Sequence, residues 1–275
     1  MKRLTLPGIA LSLALFSLAA TADSPQFRGP DRDGIHPEAG LLESWPEGGP
    51  EMLWSADGLG VGYASVTVVG DRIYTTGETG RRGSVVAMDR SGERLWSTEY
   101  GPVHDGSGYP GTRSTPTWDD GLLYVMSSLG RAVALDAESG AIRWQKDLPS
   151  RNITWGITES PVVVADIVAF TPGGDAGTMM ALDKTTGELR WVLNELLDAS
   201  AYCSPRLFDD GERRQIVTMT ERHMIGVDPT NGDLLWKVRY PGRYDIHAVS
   251  PVFHGRSIYV SDGYKQGGKR FTLAA

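Results

Sequence analysis

Six side chains stand where a repeating scaffold leaves the residue type free: Tyr63, Arg113, Trp155, Glu159, Tyr202 and His247. Each lies shortly before a Ser or Thr that opens an apolar run, namely Ser65, Thr115, Ser160, Ser204 or Ser250, and all but Ser65 are followed by Pro. Two residues before these starts stand Tyr63, Arg113, Thr158, Tyr202 and Ala248; one residue before stand Ala64, Ser114, Glu159, Cys203 and Val249. Trp155 and His247 fall just outside. Aromatic faces with both charge signs suit a planar polar ligand or a peptide. The same residues would serve equally as solvated or mutually packed loop side chains.

Other chemistries lack their residues. The sequence has no G-x-S-x-G elbow, no H-E-x-x-H, no P-loop and no C-x-x-C-H. Gly58-x-Gly60-x-Gly62 leads into a strand pattern, so it offers no helix N-terminus to a phosphate. Asp31-x-Asp33-Gly34 has the opening of a calcium loop without its third ligand or closing Glu, and reads as a turn. His104 and Asp105 are adjacent, no second His follows at metal spacing, and His36, His223 and His254 are isolated. No catalytic or metal-binding residue is assigned. The longest connection, Tyr100 to Arg113, is Gly-rich and carries His, Asp and two Tyr; it is a binding loop or a flexible excursion.

The elements that must position these residues repeat. Val86-Ala87-Met88-Asp89 through Gly92 to Trp96 recurs as Val133-Ala134-Leu135-Asp136, Gly140 and Trp144. It recurs again as Met180-Ala181-Leu182-Asp183, Gly187 and Trp191, and as Ile225-Gly226-Val227-Asp228, Gly232 and Trp236. The four aspartates are 47, 47 and 45 residues apart. An apolar run ending in Asp, a tetrapeptide closing on Gly, then a run ending in Trp predicts a strand, a tight turn and a second strand. Another strand pair precedes each copy, as in Ser65–Val69, the turn Gly70-Asp71, and Ile73–Thr76. Four strands in a period of about 46 residues is the content of one β-propeller blade.

Ala-x-Asp-x-x-x-Gly-x-x-x-Trp in this register resembles the tryptophan-docking repeat of pyrroloquinoline-quinone (PQQ)-type propellers. These include the quinoprotein alcohol dehydrogenases and the propeller lipoprotein of the outer-membrane assembly machine. The resemblance runs from Trp54 to Ala275 and implies an all-β propeller of four-stranded antiparallel blades. It also implies that Trp54, Trp96, Trp144, Trp191 and Trp236 are structural, each packed between adjacent blades. Quinoprotein dehydrogenases hold PQQ and calcium in the funnel, often beside a vicinal disulfide, and the single Cys203 cannot make that pair.

The remaining segments follow in chain order. Residues 1–22 read as a cleavable signal peptide: basic Met1-Lys2-Arg3, an apolar stretch to Ala19, and Ala20-Thr21-Ala22 before Asp23. Export to the periplasm or the cell exterior is therefore expected, with no integral membrane span after cleavage. Residues 23–50 form a Pro/Gly-rich extended arm with turns, similar to the leader of secreted PQQ-like propellers. The propeller domain covers 51–275, with blades near 64–98, 114–146, 159–193 and 203–238 and a partial blade at 249–275. Residues 51–55 are expected to close the ring by completing the last blade. About four and a half blades suggest a fragment of a longer propeller; a five-bladed ring is the alternative.

The chain holds 27 Lys and Arg against 34 Asp and Glu, and without Lys2 and Arg3 the net charge is about −9. An acidic chain with no basic cluster argues against nucleic acid as a partner. The expected function is a non-catalytic scaffold binding a protein or small molecule at the funnel or a blade edge. The alternative is a PQQ- and calcium-dependent alcohol or sugar dehydrogenase.

Overall fold

The computed structural model describes residues 23–104, 108–151 and 154–273. The signal peptide expected at 1–22 lies outside them, as does Asp105 of the long connection. Among the described residues no helix is long and apolar enough to cross a membrane.

Five antiparallel sheets follow one another along the chain. The first blade contains β1 (Thr67–Val69), β2 (Arg72–Thr79), β3 (Arg82–Asp89) and β4 (Arg94–Pro102). The second has β5 (Thr117–Asp119), β6 (Leu122–Met126), β7 (Arg131–Asp136) and β8 (Ile142–Asp147). The third has β9 (Val162–Val164), β10 (Ile167–Phe170), β11 (Met179–Asp183) and β12 (Leu189–Leu193). The fourth has β13 (Arg206–Asp209), β14 (Arg214–Met219), β15 (His223–Val227) and β16 (Leu234–Arg239). The fifth sheet is three-stranded: β17 (Val252–His254), β18 (Ser257–Asp262) and β19 (Gly267–Thr272). The architecture is an incomplete propeller with four full blades. One expectation shifts: Tyr100–Pro102 belongs to β4, paired to Arg82 and Gly83 of β3, so the long connection begins at Val103.

The middle strands explain the continuous apolar runs. Ala132 to Leu135 of β7 are all buried, because the second blade packs another blade on both of its faces. Four apolar clusters result, one at each interface between consecutive sheets; Trp144, Phe170, Met180 and Leu182, for instance, share the cluster between the second and third blades.

The repeat motif works as a socket for the preceding blade's tryptophan. Asp183 Oδ1 accepts the Thr185 and Thr186 N–H groups at 2.8 Å, and the Gly187 N–H returns to the Asp183 carbonyl at 2.9 Å. Gly187 takes φ +73°, and a Cβ there would lie 2.7 Å from the Trp144 ring. Trp144 reaches across from the second blade and donates its Nε1–H to the Lys184 carbonyl at 3.0 Å. The same ring-on-glycine contact joins Trp54 to Gly92, Trp96 to Gly140 and Trp191 to Gly232, and Trp191 also repeats the Nε1–H bond to a turn carbonyl. Only glycine accepts both the positive φ and a ring laid on its Cα.

Two tryptophans sit differently. Trp236 packs against the apolar cluster between the fourth and fifth sheets, but its ring lies over Gly226 of its own blade and it donates to Gln215 Oε1 of β14 at 2.6 Å. Gly226 stands where the other blades carry Ala and leaves room for the ring, and the described residues of the fifth sheet contain no Asp-x-x-x-Gly turn to receive it. Trp54 docks on Gly92 of the first blade, although residues 51–55 form no strand. Paired Val61–Glu78 backbone hydrogen bonds tie the residues that follow to β2.

The first strands of consecutive blades contact one another, β1 with β5, β5 with β9 and β9 with β13. Their Ser/Thr residues form a ladder between blades. Ser65 N–H donates to Thr115 Oγ1 at 3.0 Å, Thr115 N–H to Ser160 Oγ at 3.0 Å, and Ser160 N–H to Ser204 Oγ at 2.9 Å. Ser160→Ala is expected to cost about 1–3 kcal/mol, because it leaves the buried Thr115 N–H without an acceptor. Chemical denaturation measures it, and Ser160→Thr, which keeps the hydroxyl, should recover most of the loss.

Candidate binding cleft and the channel behind it

The loops that lead into the first strands converge on one mouth. Tyr63, Tyr109, Arg113, Trp155, Thr158, Tyr202, Ile246 and Ala248 line a cleft of about 340 Å³. They precede all five sheets, so the cleft is a product of the ring and belongs to no single blade. Its walls are mainly aromatic. Trp155 and Tyr202 stack with ring centroids 5.9 Å apart, and the Arg113 guanidinium sits 5.2 Å over the Tyr63 ring. Arg113 is held in place by donating to the Tyr109 carbonyl at 2.6 Å and the Gly111 carbonyl at 3.1 Å. Thr158 Oγ1 donates to the Tyr202 carbonyl at 3.2 Å.

Tyr202 has φ +72°, a conformation that costs a bulky residue on the order of 1–3 kcal/mol and is found mostly where the surroundings over-determine it. Burial pushes its phenol above the ordinary range, so the group stays a neutral donor and acceptor at the mouth. Tyr63 and Tyr109 are exposed at 61% and 60%, which leaves their ring faces open to a ligand.

Four of the six expected residues therefore meet here: Tyr63, Arg113, Trp155 and Tyr202. The other two do not line the cleft. His247 is 1% exposed, with Nδ1 3.3 Å from the buried Asp262 carboxylate and its ring against Tyr240. Its backbone N–H donates to the Ala201 carbonyl at 3.0 Å, so it fastens the fifth sheet to the fourth blade. Glu159 is fully buried, one step deeper than Thr158, and its Oε1 accepts the Thr171 N–H. Desolvation lifts its carboxyl to about 7. Tyr109 and Ile246 join the cleft without having been expected individually; Tyr109 was legible only as part of a Gly-rich loop.

Away from the cleft, the N-terminal arm packs on the first strands of the blades. Ser24 pairs with Val68 through two backbone hydrogen bonds of 2.8 and 2.9 Å, and the Pro25 carbonyl accepts the Trp118 N–H at 2.7 Å. The arm thus runs across the turn ends of β1 and β5. It then delivers Arg32, 3% exposed, to the start of β9 and β13. Burial lowers the Arg32 pKa to about 10, and Glu159 opposes that fall. Arg32 was not among the expected site residues: Pro-Asp-Arg-Asp-Gly reads as a solvated turn, and its contacts lie more than a hundred residues away in the chain.

With this geometry in hand, comparison with known proteins decides the family. The family model described as outer membrane protein assembly factor BamB matches residues 81–270. The chain belongs to that family. Among curated relatives, BamB of Moranella endobia is 30% identical over 53% of this chain and 38% of its own length. The quinoprotein alcohol dehydrogenase PedH of Pseudomonas putida is 28% identical over 63% of this chain and 27% of its own. The chain thus spans well under half the length of these relatives. The crystal structure of BamB from Moraxella catarrhalis superposes with a TM-score of 0.54 at 18% identity, covering 76% of this chain and 56% of that one. That likeness confirms the propeller fold of the BamB family.

Proposed function

We propose that this chain is a non-catalytic binding propeller acting outside the cytoplasm, which holds a segment of a protein partner, or a flat small molecule, in the aromatic cleft. The observation that carries the reading is the convergence of Tyr63, Arg113, Trp155 and Tyr202 from four successive blade approaches on one open cleft. These positions are free of any part in the blade repeat, yet they present three rings and a fixed guanidinium to the same space. Trp, Tyr and Arg are the side chains that dominate binding hot spots. The family's assembly-factor members support a protein partner, and the acidic composition with the leader at 1–22 supports a place outside the cytoplasm.

The quinoprotein dehydrogenase reading requires PQQ and calcium at the axis. Among the described residues no three His, Cys, Asp or Glu side chains gather for a metal ion. The buried carboxylate there, Glu159, already accepts the Thr171 N–H and lies within electrostatic reach of Arg32. The aromatic cleft is lined by no carboxylate. This donor set does not fit calcium.

Both readings meet a direct test. Trp155→Ala and Tyr202→Ala should each weaken partner capture by about 30-fold, the equivalent of a hot spot of about 2 kcal/mol, with the melting temperature of Trp155→Ala unchanged. Capture that survives both substitutions would remove the cleft from the function. A saturable absorbance change with PQQ and calcium, coupled to dye-linked alcohol oxidation, would establish the dehydrogenase instead.

A further inference from the structure

The first strands of the first, second and fourth blades carry a second hydrogen bond to the next sheet, beyond the Ser/Thr ladder. The residue after the Ser/Thr-Pro pair, or its counterpart in the first blade, donates to the following proline's carbonyl. Thr67 Oγ1 donates to Pro116 O, Thr117 Oγ1 to Pro161 O at 2.7 Å, and Arg206 Nη1 to Pro251 O at 2.7 Å. The third blade has Val162 at this place, which has no side-chain donor. The Pro205 carbonyl is nonetheless satisfied, by Arg32 Nη1 at 3.1 Å.

Arg32 does more than fill that gap. The same Nη1 donates to Pro161 O at 3.0 Å, and Nη2 donates to Ser160 O at 2.8 Å. The three acceptors come from the starts of two adjacent blades and converge on one planar fork. Glu159, fully buried, lies within electrostatic reach of the fork and supplies the opposite charge once ionised, and its Oε2 has no hydrogen-bond partner among the described residues. The neighbouring cation Arg206 is turned to Pro251 O and to Asp31 O of the arm itself, at 3.0 Å.

We infer that the starts of β9 and β13, with Glu159 behind them, form a guanidinium-binding site on the propeller axis, and that the arm is its built-in ligand through Arg32. The ligand class is an arginine guanidinium on an extended segment. A planar fork matches carbonyls on two blades at once, whereas an ammonium is a single point charge that cannot span them in this way. The arm thereby occupies the turn-end side of the propeller, where it borders a cavity of about 530 Å³ together with Val162, Arg206 and Phe253.

The test uses the chain from residue 23 onward. Arg32→Ala should lower the melting temperature by about 5–10 °C, since Pro205 O and Ser160 O lose the guanidinium donor while Pro161 O keeps Thr117 Oγ1, and two to four degrees accompany each kcal/mol in a chain of this size. Methylguanidinium at millimolar concentration should restore a saturable part of that loss, while methylammonium at matched ionic strength should not. Wild type, with its site filled, should respond to neither. Adding Val162→Thr to Arg32→Ala should also recover stability without ligand, because a hydroxyl then reaches Pro205 O as in the first two blades. An unchanged melting temperature, or equal responses to the two amines, overturns the site. Should Arg32→Ala fail to fold, Val162→Thr alone decides: the competing hydroxyl should speed tryptic cleavage after Arg32 several-fold with the fold retained. An unchanged cleavage rate refutes the site.

Discussion

Trp191→Ala is expected to lower the unfolding free energy by about 3–5 kcal/mol, the range for a buried tryptophan replaced by alanine. Trp191 is 7% exposed and shares one apolar cluster with Ile216, Ile225 and Val227 of the fourth blade. Its ring covers Gly232 of that blade, and its Nε1–H reaches the Pro229 carbonyl at 3.0 Å. Truncation therefore opens a cavity between two blades and strands a buried carbonyl. Neither loss can relax away, because the socket is a turn fixed by the Asp228 bonds to the Thr230 N–H and hydroxyl. Trp191→Phe should regain most of the packing and none of the hydrogen bond. Trp54→Ala, at a docking tryptophan that is 41% exposed, should cost much less. Urea denaturation of the three variants measures the series, and a loss for Trp191→Ala no larger than for Trp54→Ala would show that the blades hold together without the docked ring.

The second large effect is a dependence of stability on pH that a single residue controls. Glu159 is fully buried, and desolvation raises its carboxyl from the ordinary 4.5 to about 7 in the folded protein. The folded state therefore holds a proton that the unfolded chain has released between these values. Stability contributed by the neutral carboxyl is complete below about pH 4.5 and falls as pH rises through 7. At about 1.4 kcal/mol per pH unit, the loss across that window is on the order of 3 kcal/mol. Glu159→Gln is neutral at every pH and keeps an oxygen for the Thr171 N–H. It should match wild type near pH 4.5 and exceed it by up to about 3 kcal/mol at pH 8. Denaturation midpoints at pH 5, 6, 7 and 8 test this, and parallel pH profiles for the two proteins would falsify it.

Much of this molecule is legible before any coordinates. The 47-residue spacing of Asp89, Asp136 and Asp183 predicts the blades because each motif encodes its own hairpin, an interaction local in sequence. The Asp–Gly turns and the apolar third strands appear where the pattern places them. The convergence of Tyr63, Arg113, Trp155 and Tyr202 also follows, since equivalent positions in a ring repeat must face the same axis. The same reasoning misplaces Glu159 and His247. Alternation along an approach loop turns one residue outward and the next inward, and the burial that separates Thr158 from Glu159 depends on what fills the channel.

The amino-acid sequence by itself determined the propeller repeat, the glycine sockets and the positions that frame the mouth, because those are set by bonds and side chains a few residues apart. Only the tertiary structure decided which tryptophans find a glycine socket on the next sheet and which, like Trp236, do not, since that depends on the surface the next sheet presents. It alone decided where the arm docks. Arg32 gains three carbonyls there, and those acceptors are brought together only when blades more than a hundred residues away in the chain stand side by side.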